Sequence, residues 1–191
     1  MSMGPLDKAR DLVDDLRHLP DQRKHDMRHA GALERTRGLG RPRVALIMCA
    51  GTVCHSFYAA ARLRTLIAGT PLAGMVVQTE VDNLVHRASG PAHDVAAARG
   101  VVLLSPTDAP VPEGVAPDLL LVMGEAQALR SKGRWSVDPS RIFILGDFDP
   151  LAIRHRELSE PEDGNAEMYE ASYERIDRCL QTLVSALLSA A

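Results

Sequence analysis

Residues 49–57, with the sequence CAGTVCHSF, combine residue types that could perform nucleophilic chemistry on an anion. Cysteine is a strong nucleophile near neutral pH once its thiol is ionised. Gly51 permits a tight loop, and the backbone N–H groups of such a loop can line a concave anion site. Ser56 follows Cys49 by seven positions and could donate a hydrogen bond to the sulfur. The pattern indicates a thiolate held against a bound tetrahedral anion.

The backbone between Cys49 and Ser56 supplies the candidate phosphate ligands. These are the N–H groups of Ala50, Gly51, Thr52, Val53, Cys54 and His55. A helix that begins directly after them would add the positive end of its dipole to the attraction. Free cysteine is also common as a small buried apolar residue, so a purely structural Cys49 remains an alternative from the loop alone.

Strand and helix patterns alternate from Pro42 onward and must position this loop. Apolar runs of strand length occupy residues 44–48, 75–77, 119–123 and 142–145, and helical patterns occupy residues 56–68, 91–99, 125–131 and 165–188. This alternation predicts a three-layer α/β fold in which a four-stranded parallel sheet carries helices on both faces. Ligands of such sheets bind beyond the carboxyl ends of the strands, and Cys49 directly follows the first apolar run.

The first forty residues differ from the rest, and we predict an N-terminal helical arm at 1–40 ahead of a domain at 41–191. Apolar residues recur at helical spacing over 5–19, and a densely charged stretch follows. The arm could be solvated and packed on the domain, or it could form a homodimer or bind a partner through its apolar stripe. His25 and His29 could share a metal, but no ligand-rich segment accompanies them. We interpret them as part of a charged, solvated face and expect no metal.

The composition excludes several classes of protein. The chain has 191 residues, of which 46% are hydrophobic and 25% are charged, as is typical of a globular protein. A formal charge of −3 argues against general nucleic-acid binding. No apolar run approaches the ~20 residues that cross a bilayer, so we expect no membrane partner. Three cysteines without a secreted-type framework suit the reducing cytoplasm, and we expect no cofactor.

The stretch VALIMCAGTVCHSFYAAA resembles the phosphate-binding loop of low-molecular-weight protein tyrosine phosphatases, whose pattern is Cys-X-Gly-Asn-X-Cys-Arg-Ser. Later segments resemble the same family in the same order, namely SGPAHDVAAARGVVL, APDLLLVM, DPSRIFILGDFDP and the last helix. The resemblance spans about residues 41–188. It implies a phosphate-monoester hydrolase whose ligand is phosphate or a phosphorylated small molecule or protein. The catalytic residues it implies are Cys49, His55, Ser56 and Glu160.

His55 is the most consequential departure from the family pattern, because it stands where the family has an arginine that binds two phosphate oxygens. Histidine lacks the permanently charged planar fork of arginine. Loss of such a clamp costs on the order of 10²–10³ in rate. In a second interpretation, His55 caps the helix and touches no ligand.

The general acid is the second departure. The family usually has an Asp-Pro-aromatic sequence at its acid loop, whereas this chain has Glu160 followed by proline and glutamate. Asp149, which also precedes a proline, is the alternative acid. Glutamate can still deliver a proton if the loop lies slightly farther from the substrate.

Three functions remain open at this point. The first is hydrolysis of phosphate monoesters through a phosphocysteine, and the second is a pseudophosphatase that binds an anion or a partner. The third is a thiol redox or arsenate reductase-like activity based on Cys49 and Cys54. Arsenate reductases of this fold generally use a further cysteine, and the chain has none between Cys54 and Cys179.

Overall fold

The structure is a computed structural model that describes residues 23–49, 55–81, 90–103, 116–132, 137–152, 155–158 and 165–190. Its elements are α1 (residues 23–37), β1 (Val44–Cys49), α2 (His55–Ile67), β2 (Val76–Val81), α3 (Gly90–Ala98), β3 (Leu119–Val122), α4 (Glu125–Ser131), β4 (Ile142–Ile144) and α5 (Ala166–Ser189). Short 3₁₀ helices, Pro139–Arg141 and Leu145–Phe148, flank β4. The strands and helices predicted after residue 41 therefore form close to their expected positions.

The four strands form one parallel sheet in the order β2-β1-β3-β4. Ala45 in β1 pairs with Val77 in β2 on one side and with Leu119 in β3 on the other. The chain thus crosses from one side of β1 to the other after β2. In open parallel sheets this switch point creates a crevice at the carboxyl end of the strand, which is where Cys49 lies.

Both faces of the sheet are covered, which confirms the predicted three-layer α/β fold. In β1, Ala45 and Ile47 pack in the core cluster formed with α2, α3 and α5, whereas Leu46 and Met48 pack in the cluster beneath α4. Strands that are buried on both faces have continuous apolar sequences, whereas strands with one solvent-exposed face alternate between apolar and polar residues. This explains why period-two alternation is absent from the strand sequences.

Two histidines of α1 attach this helix to the chain that follows β4. His29 Nδ1 donates to the carbonyl of Asp147 over 2.8 Å, and His25 Nε2 donates to the carbonyl of Asp149 over 3.0 Å. His25 is buried, and the two rings stack with centroids 5.8 Å apart. The interpretation of these residues as a solvated face is therefore wrong. Among the residues that the structure describes, no cluster suits a metal ion.

Arg35 extends the same contact along the edge of the sheet. Its Nη1 donates to the carbonyl of Ile142 in β4 over 3.1 Å, and its guanidinium lies 4.4 Å from the centre of the Phe143 ring. Because β4 is an edge strand, one of its sides has no strand partner, and Arg35 of α1 supplies a donor to the Ile142 carbonyl. Residues 23–37 thus pack on the domain, while the helix predicted over 5–19 lies outside the described residues. The boundary at residue 40 stays a prediction. None of the described helices is long and apolar enough to span a membrane.

Candidate active site

Cys49 is the last residue of β1 and is fully buried. Its Sγ lies 2.8 Å from the Oγ of Ser56 in the first turn of α2. The five loop residues between β1 and α2 lie outside the described part of the chain; they are the predicted phosphate ligands Ala50, Gly51, Thr52, Val53 and Cys54. The structure nevertheless brings together the two ends of the predicted loop.

The contact between Cys49 and Ser56 has a chemical consequence. Either group can donate the hydrogen bond while the thiol is protonated. A thiolate can only accept, so ionisation of Cys49 leaves Ser56 as the donor, and a bond made to the charged form favours that form. The first turn of α2 contains no acidic residue that would oppose the positive end of the helix dipole. The hydrogen bond from Ser56 and the helix dipole thus favour a thiolate, whereas the burial of Cys49 opposes it.

The side chain of His55 points into the core between α2 and α5. Its Nε2 lies 2.7 Å from the Oγ of Ser172, and its ring meets Tyr173 edge-on at 6.2 Å between centroids. The residue is fully buried. These contacts favour the interpretation in which the imidazole touches no ligand.

The imidazole of His55 is neutral at physiological pH. Burial is the main cause that lowers its pKa to about 4, and the nearby Arg175 guanidinium lowers it further against the opposing effect of the Leu158 backbone. Nδ1 completes no hydrogen bond to the described residues, so the contact with Leu158 is a weak one. A neutral ring in this position cannot replace the charge of an arginine.

The buried His55 predicts a loss of stability on acidification. The pKa of His55 in the folded protein lies below the ordinary value, which applies to the unfolded chain. At a pH between these two pKa values, the unfolded chain therefore binds a proton that the folded protein does not. The stabilising contribution is therefore complete above the ordinary pKa and is lost as the pH falls toward 4. From this residue alone, we expect the free energy of unfolding to fall by about 2 kcal/mol between about pH 7.5 and about pH 5.

Urea denaturation of the wild type and of His55→Gln at both pH values measures this contribution. Glutamine retains a polar partner for Ser172 but does not titrate, so the pH dependence of the variant should be smaller by the same amount. Equal pH dependence in the two proteins would contradict a neutral, buried imidazole.

Asp149 is fully buried and bound by two arginines of α5. Arg175 Nε lies 3.2 Å from Oδ2, and Arg178 Nε lies 3.3 Å from Oδ1. The backbone N–H of Leu151 also donates to Oδ1. Both carboxylate oxygens are thus occupied inside the protein, which disfavours Asp149 as the proton donor. Glu160 lies outside the described residues and stays a prediction.

Residues 155–158 lead toward Glu160 and are held at the end of the sheet. The N–H of Leu158 donates to the carbonyl of Met123, immediately after β3, over 2.9 Å. Arg156 forms a bidentate ion pair with Asp147, with both distances 2.7 Å. This short segment is therefore fixed relative to the carboxyl ends of the strands, where ligands of such sheets bind.

The sequence profile of the low molecular weight phosphotyrosine protein phosphatase family matches residues 44–190. The chain belongs to this family. The match covers the whole α/β fold from β1 to the end of α5, and it confirms the resemblance that the loop and the later segments predicted. No curated protein sequence matches the chain.

Several solved phosphatase structures share the fold. The tyrosine phosphatase Wzb from Escherichia coli K30, in complex with sulphate, has 18% identity and a TM-score of 0.57 over 73% of this chain and 94% of its own. The Erwinia amylovora tyrosine phosphatase AmsI has 21% identity and a TM-score of 0.59 over 76% and 93%. The YwlE arginine phosphatase has 17% identity and a TM-score of 0.61 over 75% and 95%.

Within this phosphatase domain, sequence reasoning missed two residues that organise the site, Ser172 and Arg175. Ser172 lies within the helical pattern predicted over residues 165–188, whose apolar stripe is buried. A polar residue within a buried stripe needs a hydrogen-bond partner, and that signal could have been used. The partner, His55, lies 117 positions away in the sequence. The packing of α5 on α2 decides that these two residues meet.

Proposed function

We propose that this chain binds phosphate in the loop from Cys49 to Ser56 and hydrolyses phosphate monoesters through a phosphocysteine. The observation that carries the proposal is the 2.8 Å contact between Cys49 Sγ and Ser56 Oγ at the carboxyl end of β1 in a member of a phosphatase family. The fold neighbour Wzb binds sulphate and phosphate in its solved complexes, which supports a tetrahedral anion as the ligand.

The proposed reaction has two steps. The Cys49 thiolate attacks phosphorus, the bond from phosphorus to the ester oxygen breaks, and the leaving oxygen takes a proton from the Glu160 carboxyl group. Water then attacks the phosphocysteine, Glu160 accepts a proton, and phosphate and the thiolate are released. Ser56 donates a hydrogen bond to the sulfur when it leaves.

The phosphate oxygens are held, in this proposal, by backbone N–H groups of residues 50–55. His55 contributes its backbone rather than its ring, since the ring is buried against Ser172. Without a charged side chain at this position, turnover should be slower by roughly 10²–10³ than in an enzyme that keeps the arginine. Slow hydrolysis is therefore the expected behaviour.

A pseudophosphatase is the second candidate, and the buried, neutral His55 favours it. In that case the loop would bind an anion or a phosphorylated partner without breaking a bond. A thiol redox function has less support, because it would use a cysteine besides Cys49. Cys179 is buried on α5, and Cys54 lies outside the described residues.

Two measurements on the full chain separate these functions. Calorimetry measures the affinity for phosphate and vanadate, and hydrolysis of p-nitrophenyl phosphate measures turnover. Binding together with slow turnover supports the hydrolase. Binding without turnover supports the pseudophosphatase, and absence of binding at millimolar phosphate contradicts both.

We further propose that residues 1–40 form an extension of the phosphatase domain that mediates a homodimer, and that the protein is cytoplasmic. The apolar stripe over residues 5–19 supports the first point, and the cysteine pattern supports the second. Light scattering of the full chain and of a variant that lacks residues 1–22 tests the dimer. A monomeric full chain would contradict it.

A further inference from the structure

A groove lies beside the β4 edge of the sheet, between α4, β4 and the carboxyl-terminal end of α1. Its volume is about 320 Å³, at the lower end of the range for small-molecule sites. The uncharged residues that line it are Ala128, Leu129, Pro139, Ile142 and Ile144. Ile142 and Ile144 are alternate residues of β4 and form an apolar floor beneath α4. Leu129 is 65% exposed, so the groove opens to solvent along α4.

The charged residues of this groove are mostly cationic. Arg35, Lys132 and Arg156 line it together with one carboxylate, that of Glu125. Arg156 is already neutralised within the protein, because it forms a bidentate ion pair with the buried Asp147, at 2.7 Å for both contacts, and a further ion pair with Glu125. The attraction for a ligand must therefore come from the other two cations.

Arg35 and Lys132 have no carboxylate partner of their own. The contacts of the Arg35 guanidinium are the carbonyl of Ile142 and the ring of Phe143, and neither carries a charge. Burial is the main cause that lowers the pKa of Arg35, although arginine stays charged at physiological pH. Lys132 is the exposed last residue of α4 and forms no ion pair with any residue that the structure describes. Two uncompensated cations thus border an apolar floor.

We propose that this groove binds a small amphipathic carboxylate, a molecule with a single carboxylate group and an apolar body. The carboxylate lies between Arg35 and Lys132, and the apolar body packs on Ile142 and Ile144. The three cations of the groove face two carboxylates, those of the Arg156 ion pairs, so one positive charge is left over and a monoanion matches it. A volume of about 320 Å³ corresponds to about ten water molecules of ~30 Å³ each, which suits a body of this size.

The groove is separate from the candidate active site. Ile142 and Ile144 pack in the core cluster beneath α4, whereas Cys49 packs in the cluster on the other face of the sheet. Binding in the groove therefore does not depend on hydrolysis of phosphate esters, and phosphate bound at the loop after β1 should not displace the carboxylate.

Methyl NMR of the full chain with 4-phenylbutyrate as the probe tests this site. A ligand of about twelve non-hydrogen atoms should bind with a Kd on the order of 1 mM. We expect saturable shifts of the Ile142 and Ile144 methyl signals that persist in millimolar phosphate. The neutral analogue 4-phenylbutanol has the same apolar body and should bind at least about 5-fold more weakly. Absence of these shifts at about 10 mM probe, displacement by phosphate, or equal affinity for acid and alcohol overturns the proposal.

Lys132→Gln and its matched control Arg130→Gln test the charge. Both residues are exposed near the end of α4, but Arg130 does not line the groove. Lys132→Gln should raise the Kd of 4-phenylbutyrate by about 3- to 5-fold, the scale of a partly exposed ion pair, and Arg130→Gln by less than about 1.5-fold. Arg35→Gln should have at least the effect of Lys132→Gln. Equal affinities in Lys132→Gln and Arg130→Gln would contradict the proposed site.

A further substitution covers the case in which Arg35→Gln, which also loses its bond to β4, does not fold. Leu129→Glu adds a carboxylate to the exposed side of the groove, and Ala126→Glu adds one to an exposed position of α4 outside it. Leu129→Glu should weaken binding of 4-phenylbutyrate by about 3-fold or more, whereas Ala126→Glu should change it by less than about 1.5-fold. The same affinity in these two variants would also overturn the proposal.

Discussion

Replacement of Cys49 by serine is expected to reduce the hydrolysis of an aryl phosphate by at least about 10³-fold, the scale seen when a nucleophile is removed. A serine hydroxyl is un-ionised near neutral pH and is a much weaker nucleophile than a thiolate. Phosphate binding should change little, because the donors of the proposed site are mainly backbone N–H groups. Steady-state kinetics and calorimetry on the same preparation measure the two effects.

Cys179→Ser is the matched control for this substitution. Cys179 is buried on α5, and its burial, with a smaller effect of the nearby Asp149 carboxylate, raises the pKa of its thiol to about 12. A thiol with that pKa cannot act as the nucleophile, so the variant should keep the wild-type turnover. Loss of activity in Cys179→Ser together with normal activity in Cys49→Ser would reject the phosphocysteine mechanism.

Gly146→Ala is expected to lower the free energy of unfolding by about 3 kcal/mol or to prevent folding. Gly146 lies in the 3₁₀ turn after β4, and a Cβ there would lie 2.0 Å from the backbone oxygen of Arg156. That oxygen belongs to the main chain, so the segment itself must move. Its displacement would also strain the buried ion pair between Arg156 and Asp147.

Gly31→Ala provides the control for Gly146→Ala. Gly31 lies within α1, and an added Cβ would meet nothing within 4 Å. Alanine favours a helix interior over glycine, so this variant should gain about 0.5–1 kcal/mol. Urea denaturation measures both variants, and unchanged stability of Gly146→Ala would show that residues 155–158 do not lie against the turn.

The order of strands and helices, the parallel sheet and the place of Cys49 could be predicted from the sequence. Continuous apolar runs identify strands that are buried on both faces, and helical spacing identifies the elements that cover them. Both signals depend only on residues that are close in sequence, so they can be recognised without knowledge of the tertiary contacts. The spacing of Cys49 and Ser56 likewise placed both residues at one end of the sheet, where the structure finds them 2.8 Å apart.

The role of α1 could not be predicted in the same way. His25 and His29 lie in a densely charged stretch, and charge alone indicates a solvated face. Their partners are backbone carbonyls more than 100 positions away, in the 3₁₀ turn that follows β4 and at its end. Because these partners are backbone carbonyls, no side chain in the sequence indicates that a histidine will bind there.

By itself, then, the sequence determined the family, the fold and the two ends of the candidate site, because residue type and local spacing carry that information. The tertiary structure alone decided that the ring of His55 faces Ser172, that Asp149 is bound by arginines, and that Arg175 holds residues 155–158. A histidine next to an anion loop can serve as a cation or as a buried neutral residue. Which state it adopts depends on how much water the packing of α5 removes from the ring, since desolvation opposes its charged form.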